Sequence, residues 1–301
     1  MGVIEYLGNS KVVFLVFIAA ALLVPQLSYK WTAALIPILM IMMTFSIKNL
    51  QFRLLRGKDF RRAVYLNIAN YVALGALMII LALLLIKDPV YQKAVFMLAI
   101  MPPAVGIISL TYLLKGDVES AFLAESLGYA AGVIIIPIAS YFIIGNGINP
   151  LKILEILGYI IVIPFVVSRL IRNVENEQNH IRGRIIKAIV NVCYGALFFI
   201  VIGINRDALF SGSGSIIRML LLFVLVQFVF GTFIWLYLKN KTKRRFDVLY
   251  VLFGTVKNGS IGAATALMLF GMGATLPFAV YSIVGPAYIL FLEWMMLAET
   301  K

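Results

Sequence analysis

Charged residues are scarce in this chain. Asp, Glu, Lys and Arg make up 13% of its 301 residues, about half the share usual in soluble domains. Cysteine is nearly absent: Cys193 stands alone, which excludes an intrachain disulfide, a cysteine-cluster metal site and a CxxC redox motif. Histidine is equally rare. His180 lies in a polar link, so a His-based triad or metal centre is not expected. There is no HExxH, no Asp-rich diphosphate motif and no nucleophile with a partnered histidine. The chain therefore does not read as an enzyme, and no metal or cofactor is expected.

What is there is apolar sequence in long, unbroken runs. Hydrophobic residues make up 62% and the mean hydropathy is +1.01. A water-soluble globule, a disordered chain, a coiled coil and a disulfide-stapled secreted module are excluded. A β-barrel would show alternation rather than runs. The expected fold class is an all-α polytopic membrane protein in a lipid bilayer. At about 20 residues per span, ten transmembrane helices are expected: Val12–Leu27, Thr32–Ile47, Ala63–Ile86, Ala94–Leu114, Val118–Ile144, Leu151–Leu170, Ile185–Ile204, Ile216–Leu238, Val248–Phe270 and Leu276–Leu297. Met1–Lys11 does not read as a signal peptide, because the run after it has no small-residue cleavage pattern. The longest polar link, RNVENEQNHIRGR, covers Arg172–Arg184.

The net charge of +13 would suggest nucleic acid in a soluble protein. Here Lys and Arg are topology signals and no nucleic acid is expected. Nineteen of them fall on the links after spans 2, 4, 6 and 8 and at the termini, and six on the other side. That bias places both termini in the cytoplasm of an inner or plasma membrane. Trp31 and Trp235 fall near expected span ends, where indole rings favour the interface.

Five spans per half make the halves, 1–145 and 146–301, inverted in the membrane. The fourth span of each carries helix breakers. Span 4 contains Met101-Pro102-Pro103-Ala104-Val105-Gly106, and span 9 contains Gly254-Thr255-Val256-Lys257-Asn258-Gly259-Ser260. Proline removes a donor and clashes with the preceding turn. Backbone freed inside a bilayer must find other partners. Paired interruptions in two inverted halves point to a transporter's binding site, although a packing kink with small residues would leave a similar trace.

Two ionisable residues lie deep in the expected spans. Glu125 is about 12 Å up its helix from Asp117, and Lys257 about 15 Å from Asp247, at ~1.5 Å per residue. Each charge alone costs roughly 3 kcal/mol near the midplane. Opposite signs at equal depth suggest that they offset one another, either as a static pair or as one that opens during transport. Asn67, Asn70, Ser109, Thr111, Asn191, Asn258 and Ser260 are neutral polar candidates for a cavity lining, and Asn258 is the strongest. Gln227 suits a contact between helices. Glu293 is expected to be solvated at the cytoplasmic end.

The run Met101-Pro102-Pro103 followed by Leu110-Thr111-Tyr112-Leu113-Leu114-Lys115-Gly116-Asp117 resembles the bile acid:sodium symporter family. So do Lys257-Asn258-Gly259-Ser260 with Ala263–Leu267, and Leu276-Pro277-Phe278-Ala279-Val280-Tyr281-Ser282-Ile283. The resemblance implies a panel domain of spans 1, 2, 6 and 7. It also implies a core domain of spans 3–5 and 8–10, with broken helices 4 and 9 crossing. It places the family's sodium ligands at Ile107, Ile108, Ala121, Glu125, Phe253, Lys257 and Asn70 or Tyr71. Isoleucine cannot coordinate a hard cation, and the Lys257 ammonium would fill the remaining site. The resulting expectation is a sodium-independent secondary transporter of a small organic anion, coupled to protons through Glu125 and Lys257. Its candidate site residues are Glu125, Lys257, Asn258, Thr111, Asn70 and Ser260, with Pro102, Pro103, Gly254 and Gly259 forming the breaks. The alternative is a sodium-coupled organic-anion symporter with a rearranged ion site.

Overall fold

The computed structural model describes residues 6–48, 58–145, 149–172, 180–239, 241 and 243–297. The expected boundary between the halves adjoins residues 146–148. Most of the polar link between spans 6 and 7, with Arg53, Arg56 and Lys301, falls outside the described residues.

Helix accounts for 88% of the structure, with no strand among the described residues. Twelve helices position the site. They are α1 (Ser10–Leu23), α2 (Pro25–Ile47), α3 (Asp59–Leu85), α4 (Pro89–Ile100), α5 (Ile107–Leu113), α6 (Val118–Ile144), α7 (Pro150–Ile171), α8 (Gly183–Ile204), α9 (Gly214–Leu238), α10 (Arg244–Thr255), α11 (Gly259–Phe270) and α12 (Met272–Met296). Seven of them are long and apolar enough to cross a membrane: α2, α3, α6, α7, α8, α9 and α12. The protein is a multi-pass helical membrane protein. The other three expected spans hold the shorter apolar helices α1, α4 and α11.

Local chemistry explains the ends. Asp88, Asp117, Asn149 and Asn258 each accept a backbone N–H in the first turn of the following helix, which satisfies a donor that has no partner within the helix. Pro89 and Pro150 open α4 and α7, where the missing N–H costs nothing. Gly145 and Gly271 close α6 and α11 with φ of 90° and 82°, a conformation that favours glycine. The break between the first two spans differs from expectation. It falls at Val24, because Pro25 starts α2 and disfavours helical geometry in the residue before it.

The helices pack in two groups. In one, α8 lies on α1 and α2, and α7 lies on α2. In the other, α3 packs on α4 and α6, α4 on α6 and α11, α10 on α9 and α3, and α12 on α9 and α11. Contacts of α8 with α12, α7 with α6 and α2 with α11 join the groups. At one end Lys11 of α1 meets Glu293 of α12 at 2.6 Å. Glu293 is thus paired and largely shielded, at 18% exposed, rather than solvated as expected. Arg244 donates to the Met296 carbonyl at the same end. Trp235 also departs from expectation. It is 2% exposed and packs inward with Leu249, Phe253 and Tyr288, because its face of α9 covers α10 instead of reaching an interface. Trp31 remains exposed.

Candidate functional site

The two chain breaks meet. Between α4 and α5, residues Met101–Gly106 leave the helix, and between α10 and α11 so do Val256–Asn258. Pro103 and Lys257 form an isolated antiparallel bridge, and the Asn258 N–H donates to the Pro102 carbonyl at 2.9 Å. Backbone released by proline and glycine in one segment is thus satisfied by the other. Gly259 is required here: a Cβ on it would stand 2.9 Å from the Tyr281 ring. Gly254 accommodates Ile234, whose Cδ1 would lie 2.6 Å from such a Cβ.

Lys257 is 1% exposed. Its Nζ donates to the Met101 carbonyl and to Asn70 Oδ1, both at 3.0 Å. The Tyr71 ring lies 4.9 Å from it, within cation–π range. Met101 caps the C-terminus of α4, so the ammonium stands at a helix C-terminus, where the dipole favours a cation. Asn70 sits in a π-helical stretch, Ala69–Leu74, and its Nδ2 donates to the Phe253 and Val256 carbonyls at 2.8 and 3.0 Å. One asparagine therefore closes the open end of α10 and holds the lysine. Of the two positions in span 3, Asn70 supplies the oxygen, whereas the Tyr71 hydroxyl donates to Gly128 O at 2.7 Å.

Asn258 joins a second chain of bonds. Its Oδ1 caps α11 through Ile261 N at 3.0 Å and its Nδ2 donates to the Tyr129 hydroxyl at 2.7 Å. Tyr129 in turn donates to the Pro103 carbonyl at 3.1 Å. The Tyr281 hydroxyl accepts from Lys257 N at 2.9 Å. Tyr129→Phe should leave the Pro103 carbonyl and one Asn258 N–H buried without a partner. It is expected to cost about 2 kcal/mol, read as a lower melting temperature in detergent.

No protein-family model and no curated protein matches the chain.

The expected residues do not all gather. Asn70, Pro102, Pro103, Lys257, Asn258 and Gly259 meet at the crossing. Glu125 and Lys257 form no ion pair. The ammonium is taken by Met101 and Asn70, and Glu125 Oε2 has no hydrogen-bond partner. Glu125 is 1% exposed and lies within electrostatic reach of Tyr129 and Tyr194. Ser260, in the first turn of α11, neighbours the Tyr194 hydroxyl. Thr111 is buried in α5, away from the crossing bonds, and its hydroxyl has no partner. Asn67 Nδ2 bonds the Ala63 and Ala124 carbonyls. Asn191 ties α8 to the Leu7 carbonyl.

Sequence reasoning passed over Tyr129 and Tyr194, which bond or neighbour residues of the second break, and their signal was available: phenol groups far from expected span ends need partners. The Met101 carbonyl left no such signal, since any residue carries one.

Proposed function

We propose that the chain is a secondary active transporter of the inner or plasma membrane, working by alternating access, with both termini in the cytoplasm. It is a carrier rather than an enzyme. On this reading residues 1–145 and 146–301 are two inverted five-helix repeats. The panel is α1, α2, α7 and α8, and the core holds the remaining helices, with the broken spans crossing inside it. The observation that carries the reading is the bridge between Pro103 and Lys257, which joins two interruptions at corresponding places in the halves. The separate packing of α1, α2, α7 and α8 supports it.

Transport on this reading needs no sodium. An ammonium already occupies the oxygens of Asn70 and Met101, and Ile107, Ile108, Ala121 and Phe253 offer no side-chain ligand. The proton is the coupling ion, held at Glu125. The expected small organic anion depended on a free Lys257 charge. With that charge engaged, the sign of the substrate turns on the carboxylate.

The test uses protein reconstituted in proteoliposomes, with choline replacing sodium. Transport and thermal stability are expected to be unchanged. Strict, saturable sodium dependence would overturn the reading in favour of a symporter with a rearranged ion site. Lys257→Gln should free the oxygen seat, so sodium should raise the melting temperature of that variant alone, by mass action.

A further inference from the structure

The carboxylate of Glu125 is a charge-bearing group at this depth that the bonds of the crossing leave unused. Tyr129 of its own helix and Tyr194 of α8 lie within its electrostatic reach. Tyr194 neighbours Ser260 of α11, and the residues of α6 on either side of Glu125 meet Asn67 and Tyr71 of α3. Lys257, the buried cation of the crossing, is seated on two oxygens of other residues. Glu125 Oε2 accepts no hydrogen bond. A carboxylate in that position must be protonated or hold a cation brought from outside.

Tyr194 indicates which cation fits. Tyr194 belongs to an aromatic cluster on the panel side. Its ring lies 5.4 Å from Phe14 and 5.1 Å from Phe198, and Phe14 and Phe198 are 5.2 Å apart. None of these rings is fully buried. An unpartnered buried carboxylate within electrostatic reach of a tyrosine in an aromatic cluster offers the chemistry that recognises an organic ammonium, a charge-assisted hydrogen bond and cation–π attraction. A bare metal ion would find only one carboxylate and phenol groups. An organic anion would meet a charge of its own sign.

Resting on the transport reading, we propose that Glu125 is the binding carboxylate for a protonated amine and that the same carboxylate holds a proton when the amine is absent. The exchange balances. The protonated carboxyl meets R–NH3+, the carboxyl O–H bond breaks, its proton leaves to water, and the carboxylate–ammonium pair remains. One positive charge enters the site and one leaves. An empty carboxylate is costly in the apolar interior, so the core moves with one passenger or the other. That makes the protein an exchanger of protons against amines.

The probes are benzylammonium chloride, benzoate and benzyl alcohol, titrated into the purified protein in a weakly buffered detergent solution with a pH indicator. Benzylammonium should bind with release of up to one proton per molecule. Its affinity should fall by up to about tenfold per pH unit where the carboxyl is protonated. Benzoate and benzyl alcohol should not bind. Glu125→Gln should weaken benzylammonium binding by on the order of tenfold or more and abolish the proton release. Glu125→Asp should keep pH-dependent binding at lower affinity. The wild-type proton release stands as a test even if the glutamine variant does not fold. Benzylammonium binding without proton release, binding unaffected by Glu125→Gln, preference for benzoate, or no saturable binding of benzylammonium would each overturn the proposal. Proteoliposome counterflow of labelled benzylammonium separates the two readings. Binding with proton release but no movement keeps the site and removes the transport reading. Uptake of benzoate that is indifferent to Glu125→Gln does the reverse.

Discussion

Asn70→Leu is expected to lower the stability of the purified protein by about 4 kcal/mol, the largest effect of any substitution at the crossing that does not touch proline or glycine. Three bonds go at once. Asn70 Oδ1 accepts from Lys257 Nζ, and Nδ2 donates to the carbonyls of Phe253 and Val256. Leucine fills the volume but offers neither group. The ammonium keeps the Met101 carbonyl and loses its other oxygen, in a place water does not reach. Two carbonyls at the end of α10 lose their donor. The measurement is chemical or thermal unfolding in a defined detergent. A loss below about 1 kcal/mol, the net value of one ordinary hydrogen bond, would show that the lysine is held by other groups.

Gly128→Val should be comparably damaging for a different reason. A Cβ at Gly128 would stand 2.5 Å from Asn67 Oδ1 and 2.9 Å from Pro103 Cδ. Neither neighbour can retreat. Asn67 is held by the carbonyls of Ala63 and Ala124, and the proline ring is part of the backbone that bridges to Lys257. Valine adds two methyl groups beyond that Cβ. The expected cost is about 3 kcal/mol or more, with failure to accumulate in the membrane as the visible outcome. Gly183→Ala is the control. Nothing lies within 4 Å of the added methyl, and alanine favours helix over glycine by up to about 1 kcal/mol. If Gly128→Val melts like that control, α6 and the first break are not packed as the structure has them.

These effects are large because small residues and amides at the crossing each serve several partners. The apolar faces around them are tolerant by comparison. Tyr112, Phe142 and Trp294 are mostly exposed on the protein, and a bilayer would cover them without specific geometry. Stability changes should therefore concentrate at Asn70, Gly128, Tyr129 and Lys257 rather than follow side-chain size along the spans.

Composition and hydropathy alone determine that this is a helical membrane protein, because the burial of apolar side chains follows their chemistry wherever the chain runs. Proline and glycine alone locate the breaks at Pro102-Pro103 and Gly259, since both act on backbone geometry within a turn or two. The expected depth of Glu125 and Lys257 follows from counting residues along a helix. Only the tertiary structure decided what those two charges do. Lys257 takes its oxygens from Asn70 and Met101, 187 and 156 residues away, and one of them is a main-chain carbonyl that no sequence pattern marks. Equal depth made a pair with Glu125 plausible, but depth is one coordinate of three. With the ammonium seated on those two oxygens, the Glu125 carboxylate stays buried with Oε2 unpartnered. Trp235 teaches the same lesson. Its position near the end of α9 was legible, but the face it turns inward was set by packing against α10.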